Sequence, residues 1–304
     1  MSSLISFPFL AGSAGSAPLA LGAENIADIM EPQRRGLPRS VWATGPVVGP
    51  VVGPVCGGFL TENASWRWVF WVIAILSALH SDLTPSTLFT ISITRPLKML
   101  VFSPIISALS LYVAVVYGFP YLLFKTISQV YGNQYNFTAG VVRLTYIKLG
   151  AGSTIGLLAM GRFSDVVSKH LAGGTKGPWK PEFRLALMIP LSLALPIGLL
   201  WYGWTAEKKA HWILPIIGTG WIGFGFVASF VAIQSYPVDA FTTHAASAAA
   251  ASTVLRSLLG AVLPLAGPSM YSALGLGWGN SVLAFTAIAM LPLPLVFFMS
   301  GERI

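Results

Sequence analysis

Ionisable side chains are scarce in this chain, and those able to move protons or grip a substrate lie inside or beside oily stretches. Asp239 and Arg256 fall in neighbouring apolar runs, Arg143 and Lys148 interrupt another, and Asp28 lies one helical turn from Glu24 and close to Arg35. A charge at the centre of a bilayer costs roughly 2.5–3.5 kcal/mol on insertion scales, so each of these residues needs a partner, a cavity or a task. A carboxylate beside a cation can gate a pathway by taking up a proton, and the same two residue types can make a static ion pair between helices. Asp239 with Arg256 is the pair expected here, with both roles open. Glu24 and Asp28 read first as an interfacial pair with Arg35 nearby, and only second as a functional one. Lys148, the deeper cation of its run, must face the bundle interior or reach along its stem to the interface. Tyr112, Tyr117, Tyr121 and Gln234 are further candidates to line a cavity.

Other chemistry finds no support. No glycine-rich loop ends in Lys-Ser or Lys-Thr, so no ATP motor is expected. The four histidines are scattered without metal-ligand spacing, and His244 reads as interfacial. Cys56, the single cysteine, makes neither an internal disulfide nor a thiolate cluster. No cofactor, metal or enzymatic activity is expected.

The elements that carry these residues must be membrane helices. Of 304 residues, 55% are hydrophobic and 9% charged, and the mean hydropathy is +0.73. A soluble domain carries about 25% charged residues, so lipid rather than water must face most of the exterior. Uncharged or nearly uncharged runs cover Leu4–Ala23, Ser40–Thr61, Trp68–Ser81, Met99–Phe124, Phe137–Met160, Leu185–Thr205, Trp212–Pro237, Ala240–Tyr271 and Trp278–Ser300. Helices are the expected form, because an open strand edge in lipid leaves backbone groups unpaired. Trp68–Ser81 is short for a span.

A net charge of +8 invites a nucleic-acid reading, but the basic residues sit in short loops between apolar runs. One side of the expected bilayer collects Arg34, Arg35, Arg39, Arg95, Lys98, Arg162, Lys169, Lys176, Lys180, Arg184 and Arg303; the other has Arg67, Lys125, Lys208 and Lys209. The bias places the first side in the cytoplasm and argues against a nucleic-acid partner. Two sequons, at Asn63 and Asn136, fall close to the external surface, where chance is the favoured explanation. Trp201, Tyr202, Trp204 and Trp212 gather at span ends, as an interfacial aromatic belt would.

The second run has an unusual pattern. Gly45, Gly49, Gly53 and Gly57 recur every four residues; Pro46, Pro50 and Pro54 follow the first three, and Gly58 closes the series. On a helix the glycines form one flat stripe for close packing, and each proline removes a backbone hydrogen bond and bends the axis. A plain helix-dimerisation face explains one glycine pair better than it explains a triple Gly-Pro repeat.

This run resembles the antiporter signature of the major facilitator superfamily, found in the fifth of that family's twelve helices. Nearly the whole chain shares the resemblance. Leu10-Ala11-Gly12, Gly15-Ser16-Ala17-Pro18-Leu19 and Arg35-Gly36 look like the fourth helix and its loop, and Trp66-Arg67-Trp68 like the start of the sixth. Arg95-Pro96-Leu97-Lys98 is similar to the approach to the seventh in fungal twelve-helix drug–proton antiporters. Gly161-Arg162-Phe163-Ser164-Asp165 resembles the gating loop after the eighth, and Pro181-Glu182-Phe183-Arg184 the approach to the ninth. Tyr236-Pro237-Val238-Asp239 and Leu255-Arg256-Ser257 resemble the tenth and eleventh.

The family's first three helices have no counterpart, so the resemblance implies an N-terminally truncated member or an incomplete gene model. The implied fold is an all-α membrane bundle of about nine helices: residues 1–82 a partial N-terminal bundle of three, 83–98 a shortened central cytoplasmic loop, and 99–304 a C-terminal bundle of six. The implied function is proton-coupled export of small organic molecules (drugs, toxins or polyamines) by alternating access. The expected partners are the substrate, protons and the lipid bilayer, with a monomer in the plasma membrane. A non-transporting remnant stands as the alternative.

Overall fold

The computed structural model describes residues 98–173, 180–240 and 245–300, with the isolated positions 37, 38, 41 and 44. The Gly-Pro series from Gly45 to Gly58, the charged pair Asp28 and Arg35, the central loop and, apart from Val41 and Thr44, the first three expected spans lie outside the described residues.

The described elements are helical. Helix α1, Pro104–Gln129, opens on a proline, whose missing N–H is not needed in a first turn. A π-helical turn, Val130–Gln134, prolongs it. The passage therefore ends at Gln134, beyond the expected Phe124. Helix α2 is Ala139–Leu171. Helices α3, Phe183–Ser192, and α4, Ala194–Glu207, form one passage divided at Leu193. Pro196 cannot donate to the Ser192 carbonyl, so the ladder breaks there. Helix α5 is Ile213–Ala240, α6 is Ala245–Met290 and α7 is Pro292–Ser300.

The gating-loop expectation is corrected. Gly161, Arg162 and Asp165 do not form a loop: they lie within α2, which continues to Leu171. No proline interrupts that stretch, and Lys169 and His170 in the last turn complement the helix dipole. The helix stops at Gly173, whose φ of +73° suits glycine and whose N–H bonds the His170 carbonyl. The eighth and ninth expected spans are two helices that meet at a kink at Gly275, where φ is 74° and ψ 177°, and the ninth continues past Leu291 as α7.

Pro104–Gln134, Phe183–Glu207, Ile213–Pro237 and Ala248–Met299 are long and apolar enough to cross a bilayer, and the last, at 52 residues, is two crossings divided by Gly275. The outer faces are oily: Leu158 is 59%, Leu265 76% and Phe285 56% exposed. Such surfaces suit lipid and would aggregate in water. The core holds Tyr112, Phe119, Leu123, Tyr131, Leu199 and Tyr202. Tyr202 is fully buried and so belongs to the core, not to an interfacial belt, whereas Trp201, Trp204 and Trp212 are partly exposed.

Helix α5 is the central post. Its glycines touch neighbours on two faces. A Cβ on Gly223 would strike the Leu149 carbonyl of α2, and one on Gly152 of α2 would strike the Gly220 carbonyl. On the other face a Cβ on Gly218 would come within 2.8 Å of the Tyr202 nitrogen, and one on Gly198 of α4 within 2.6 Å of the Ile222 nitrogen. In lipid there is little hydrophobic drive between helices, so close backbone contact of this kind supplies the attraction.

Candidate functional site

Buried charge collects in two places. The first joins the ends of α2, α3 and α5 that the basic bias assigns to the cytoplasm. Arg184 Nε lies 2.8 Å from Asp239 Oδ2, and Arg184 Nη1 lies 3.8 Å from Asp165 Oδ1. The shorter contact is an ion pair whose N–H is not aimed along the line of approach. The Arg184 and Asp239 side chains are almost fully buried, while that of Asp165 is partly open. Asp239 stands in the last turn of α5, where the helix dipole disfavours an anion, and Arg184 in the first turn of α3, where it disfavours a cation. Each charge is placed against its own helix, and pairing offsets both penalties.

The expected pairing of Asp239 with Arg256 is therefore replaced by Asp239 with Arg184. Arg184 drew notice in the sequence only as part of the approach to a span. The signal that marks it is its place at a helix N-terminus, where a cation needs a reason.

The second place is around Arg256, on α6 and 4% exposed. Its guanidinium carbon is 4.6 Å from the centre of the Tyr117 ring and 5.3 Å from that of Phe230. Tyr117 belongs to α1 and Phe230 to α5, so three helices meet here. Gly260, one turn beyond Arg256, leaves room for the Tyr117 ring: a Cβ there would sit 3.5 Å from it. Tyr121 hydrogen-bonds Tyr117 through their hydroxyls at 3.0 Å. Phe226 stacks near Phe230 and Tyr117. Arg256 Nε has no acceptor and the guanidinium no carboxylate among the described residues; Gln234 Oε1, one turn from Phe230, likewise lacks a donor. Ring contact with a desolvated cation is worth about 2 kcal/mol. A buried unmatched donor costs about 1–3 kcal/mol, and more when charged. The rings only partly offset that cost.

Of the remaining candidates, Tyr112 is buried and its hydroxyl is 3.5 Å from Ser229 Oγ, a core contact. Lys148 and Arg162 project from exposed positions on α2, and Arg143 is half-buried. Lys148 thus faces out of the packed described helices. Glu207 at the end of α4 escaped notice in the sequence. Its Oε2 accepts the Leu276 and Gly277 backbone N–H groups at 2.7 and 3.2 Å, capping the helix that restarts after Gly275. No group of three metal-ligating side chains occurs among the described residues.

A packed helical bundle with an oily exterior and a few paired or boxed charges inside defines a multi-pass membrane protein. The family comparison makes this specific: the model of the Major Facilitator Superfamily matches residues 1–264, and the chain belongs to that family of small-molecule membrane transporters. Over 99% of its length it is 48% identical to the MFS-type transporter penM of Penicillium rubens, covering 67% of that protein. It is 44% identical to the MFS transporter cpaT of Aspergillus oryzae over 99% of its length and 68% of the relative's. The efflux pump radE of Floropilus chiversii is 41% identical, with 100% of this chain and 64% of the pump aligned. The chain thus spans about two thirds of the length of these relatives. The fold is the all-α helix bundle of the family.

Proposed function

We propose that the chain acts in secondary active export of small organic molecules, coupled to protons, by alternating access in the plasma membrane. Residues 99–304 would form the six-helix C-terminal bundle, residues 1–82 a partial N-terminal bundle and 83–98 the central loop between them. The Gly45–Gly58 stripe would pack at the interface of the two bundles, with Asp28 and Arg35 at its cytoplasmic end. The similarity to radE, an efflux pump, supports the outward direction.

The observation that carries the reading is the charge cluster Asp165–Arg184–Asp239, which ties three helix ends with a buried ion pair at 2.8 Å. All three residues belong to residues 99–304, so the tie works inside one bundle and has two states as that bundle rocks against the other. Paired, it holds the three helix ends together. A proton delivered to Asp239 removes the attraction and frees Arg184 and the helix ends, so the cycle acquires a proton dependence at a named atom. The substrate would stand in a monomeric chain's cavity near Tyr117, Tyr121 and Gln234.

The experiment is reconstitution of the purified chain in proteoliposomes with an imposed pH gradient, read by a trapped pH dye during addition of organic substrates. Substrate-dependent proton flux that Asp239→Asn abolishes is the expected result. Flux that ignores the gradient, or that persists unchanged in Asp239→Asn, refutes proton coupling at this residue. No flux with any substrate favours the alternative of a non-transporting membrane protein.

A further inference from the structure

Arg256 is a fixed cation with unspent valence. Two other helices meet it: Tyr117 of α1, with Tyr121 one turn on, and Phe230 of α5, flanked one turn away on either side by Phe226 and Gln234. The Tyr117 and Phe230 rings lie against it, and Tyr121 and Phe226 pack beside Tyr117 at 5.1 and 5.8 Å, centre to centre. Aromatic faces hold a guanidinium without consuming its N–H donors, because the ring attracts the charge and accepts no strong hydrogen bond. Among the described residues its Nε–H has no acceptor and the amide oxygen of Gln234 no donor. Tyr121, 36% exposed, and the half-buried Tyr117 form the open side of this box. A structural arginine in an oily interior is normally matched by a carboxylate. This one is matched by rings on the flanks and by nothing at the donor edge among the described residues.

We infer that Arg256, held between Tyr117 and Phe230 with Tyr121 and Phe226 packed beside those rings, binds the carboxylate of an amphipathic organic acid whose apolar body stacks on the same aromatic cluster. The guanidinium fork matches a carboxylate in a bidentate geometry, and the aromatic box accepts a flat apolar body beside it. Gln234 adds an acceptor for a hydroxyl or amide N–H on the ligand. A buried cation repels a polycation, so polyamines are disfavoured by the same geometry that favours acids. This assignment rests on the transporter reading above and narrows its substrate class.

The test measures binding rather than flux. The full chain, purified in a neutral detergent, is titrated with 2-naphthoate, its methyl ester and 2-naphthylmethylamine, and tryptophan quenching is followed. The acid should bind at least ten-fold more tightly than the ester or the amine. Arg256→Met should erase that preference, and ester binding that persists in the variant reports an intact fold. Arg256→Lys should restore part of the preference, since a point charge replaces the fork. Phosphatidylglycerol, which offers an anionic headgroup on a bulky lipid, should not compete with the acid. Equal affinity of the unaltered protein for acid and ester overturns the assignment even where Arg256→Met cannot be purified. An acid preference that survives Arg256→Met, or that phosphatidylglycerol abolishes, overturns it too. Acid-selective binding without flux in proteoliposomes would sink transport and leave this site; flux of the acid independent of Arg256 would do the reverse.

Discussion

Arg184 and Asp239 occupy helix ends that each disfavour their charge, and they neutralise one another across 2.8 Å. Removing one partner of a buried pair strands the other, at about 3–5 kcal/mol. Arg184→Met and Asp239→Leu are therefore each expected to destabilise the detergent-solubilised chain by that order. The double variant should recover part of the loss, because neither buried charge remains and only the partly open Asp165 loses its Arg184 contact. Asp165→Asn, at 3.8 Å and partly open, should lose no more than about 1 kcal/mol. Thermal unfolding followed by fluorescence checks the order. Equal losses for Asp165→Asn and Asp239→Leu would contradict it.

The glycine contacts of α5 give a second expectation. Gly223→Ala drives a methyl group at the Leu149 carbonyl, and Gly152→Ala drives one at the Gly220 carbonyl. Backbone cannot swing aside as a side chain can, so the two helices must separate. Overpacking of this sort costs about 1–3 kcal/mol, occasionally more. Gly140→Ala in the first turn of α2 meets nothing within 4 Å. It should be neutral or stabilising by up to about 1 kcal/mol through lower backbone entropy in the unfolded chain. Melting temperatures of the three variants in one detergent decide the matter.

Glu207 and Gly275 act as one joint. The chain needs a left-handed φ to break α6, and the restarted helix needs acceptors for its first N–H groups, which Glu207 Oε2 provides. Glu207→Ala should lose about 0.5–2 kcal/mol, the usual worth of an N-terminal cap. Glu207→Gln keeps an acceptor oxygen and should lose less. Hydrogen exchange at the Leu276 and Gly277 amides should speed up in the alanine variant ahead of the rest of α6. Gly275→Ala, forced to φ 74° and ψ 177°, enters a region that is essentially glycine's own and should cost about 1–3 kcal/mol.

Much of this architecture was legible because lipid makes a blunt demand. Long uncharged runs can hardly be anything but helices, so the passages around Tyr112, Leu199 and Ile222 follow from composition alone. What periodicity could not give was partnership. Asp239 and Arg256 sit in adjacent runs and invited pairing, yet α6 turns Arg256 toward Tyr117 while α3 brings Arg184 to Asp239. Pairing depends on which helices neighbour each other, and one sequence does not state that. The α2 extension was missed for a different reason. Gly161 and the charges Arg162 and Asp165 look like a loop by composition, but a lone glycine does not end a helix that finishes at a better cap, Gly173. The two-faced glycine set of α5 was readable in Gly218, Gly220, Gly223 and Gly225, and went unread beside the more regular series at Gly45–Gly58.

Orientation follows from the basic bias and has its own check. Because Cys56 is the single cysteine, a Cys56→Ala background leaves a chain free of thiols. His170, exposed near the end of α2, and Lys208, exposed just past α4, lie at opposite ends of the bundle: Asp165, late in α2, sits beside Arg184 at the start of α3, and Lys208 follows the far end of the α3–α4 passage. The excess of Arg and Lys near His170 assigns that end to the cytoplasm. In intact cells a membrane-impermeant maleimide should label Lys208→Cys and spare His170→Cys. Permeabilised cells should label both. Reversed labelling would invert the bundle, moving the Asp165–Arg184–Asp239 cluster to the outer surface, where a proton reaching Asp239 would come from the opposite side and the direction of coupled export would have to be reassigned.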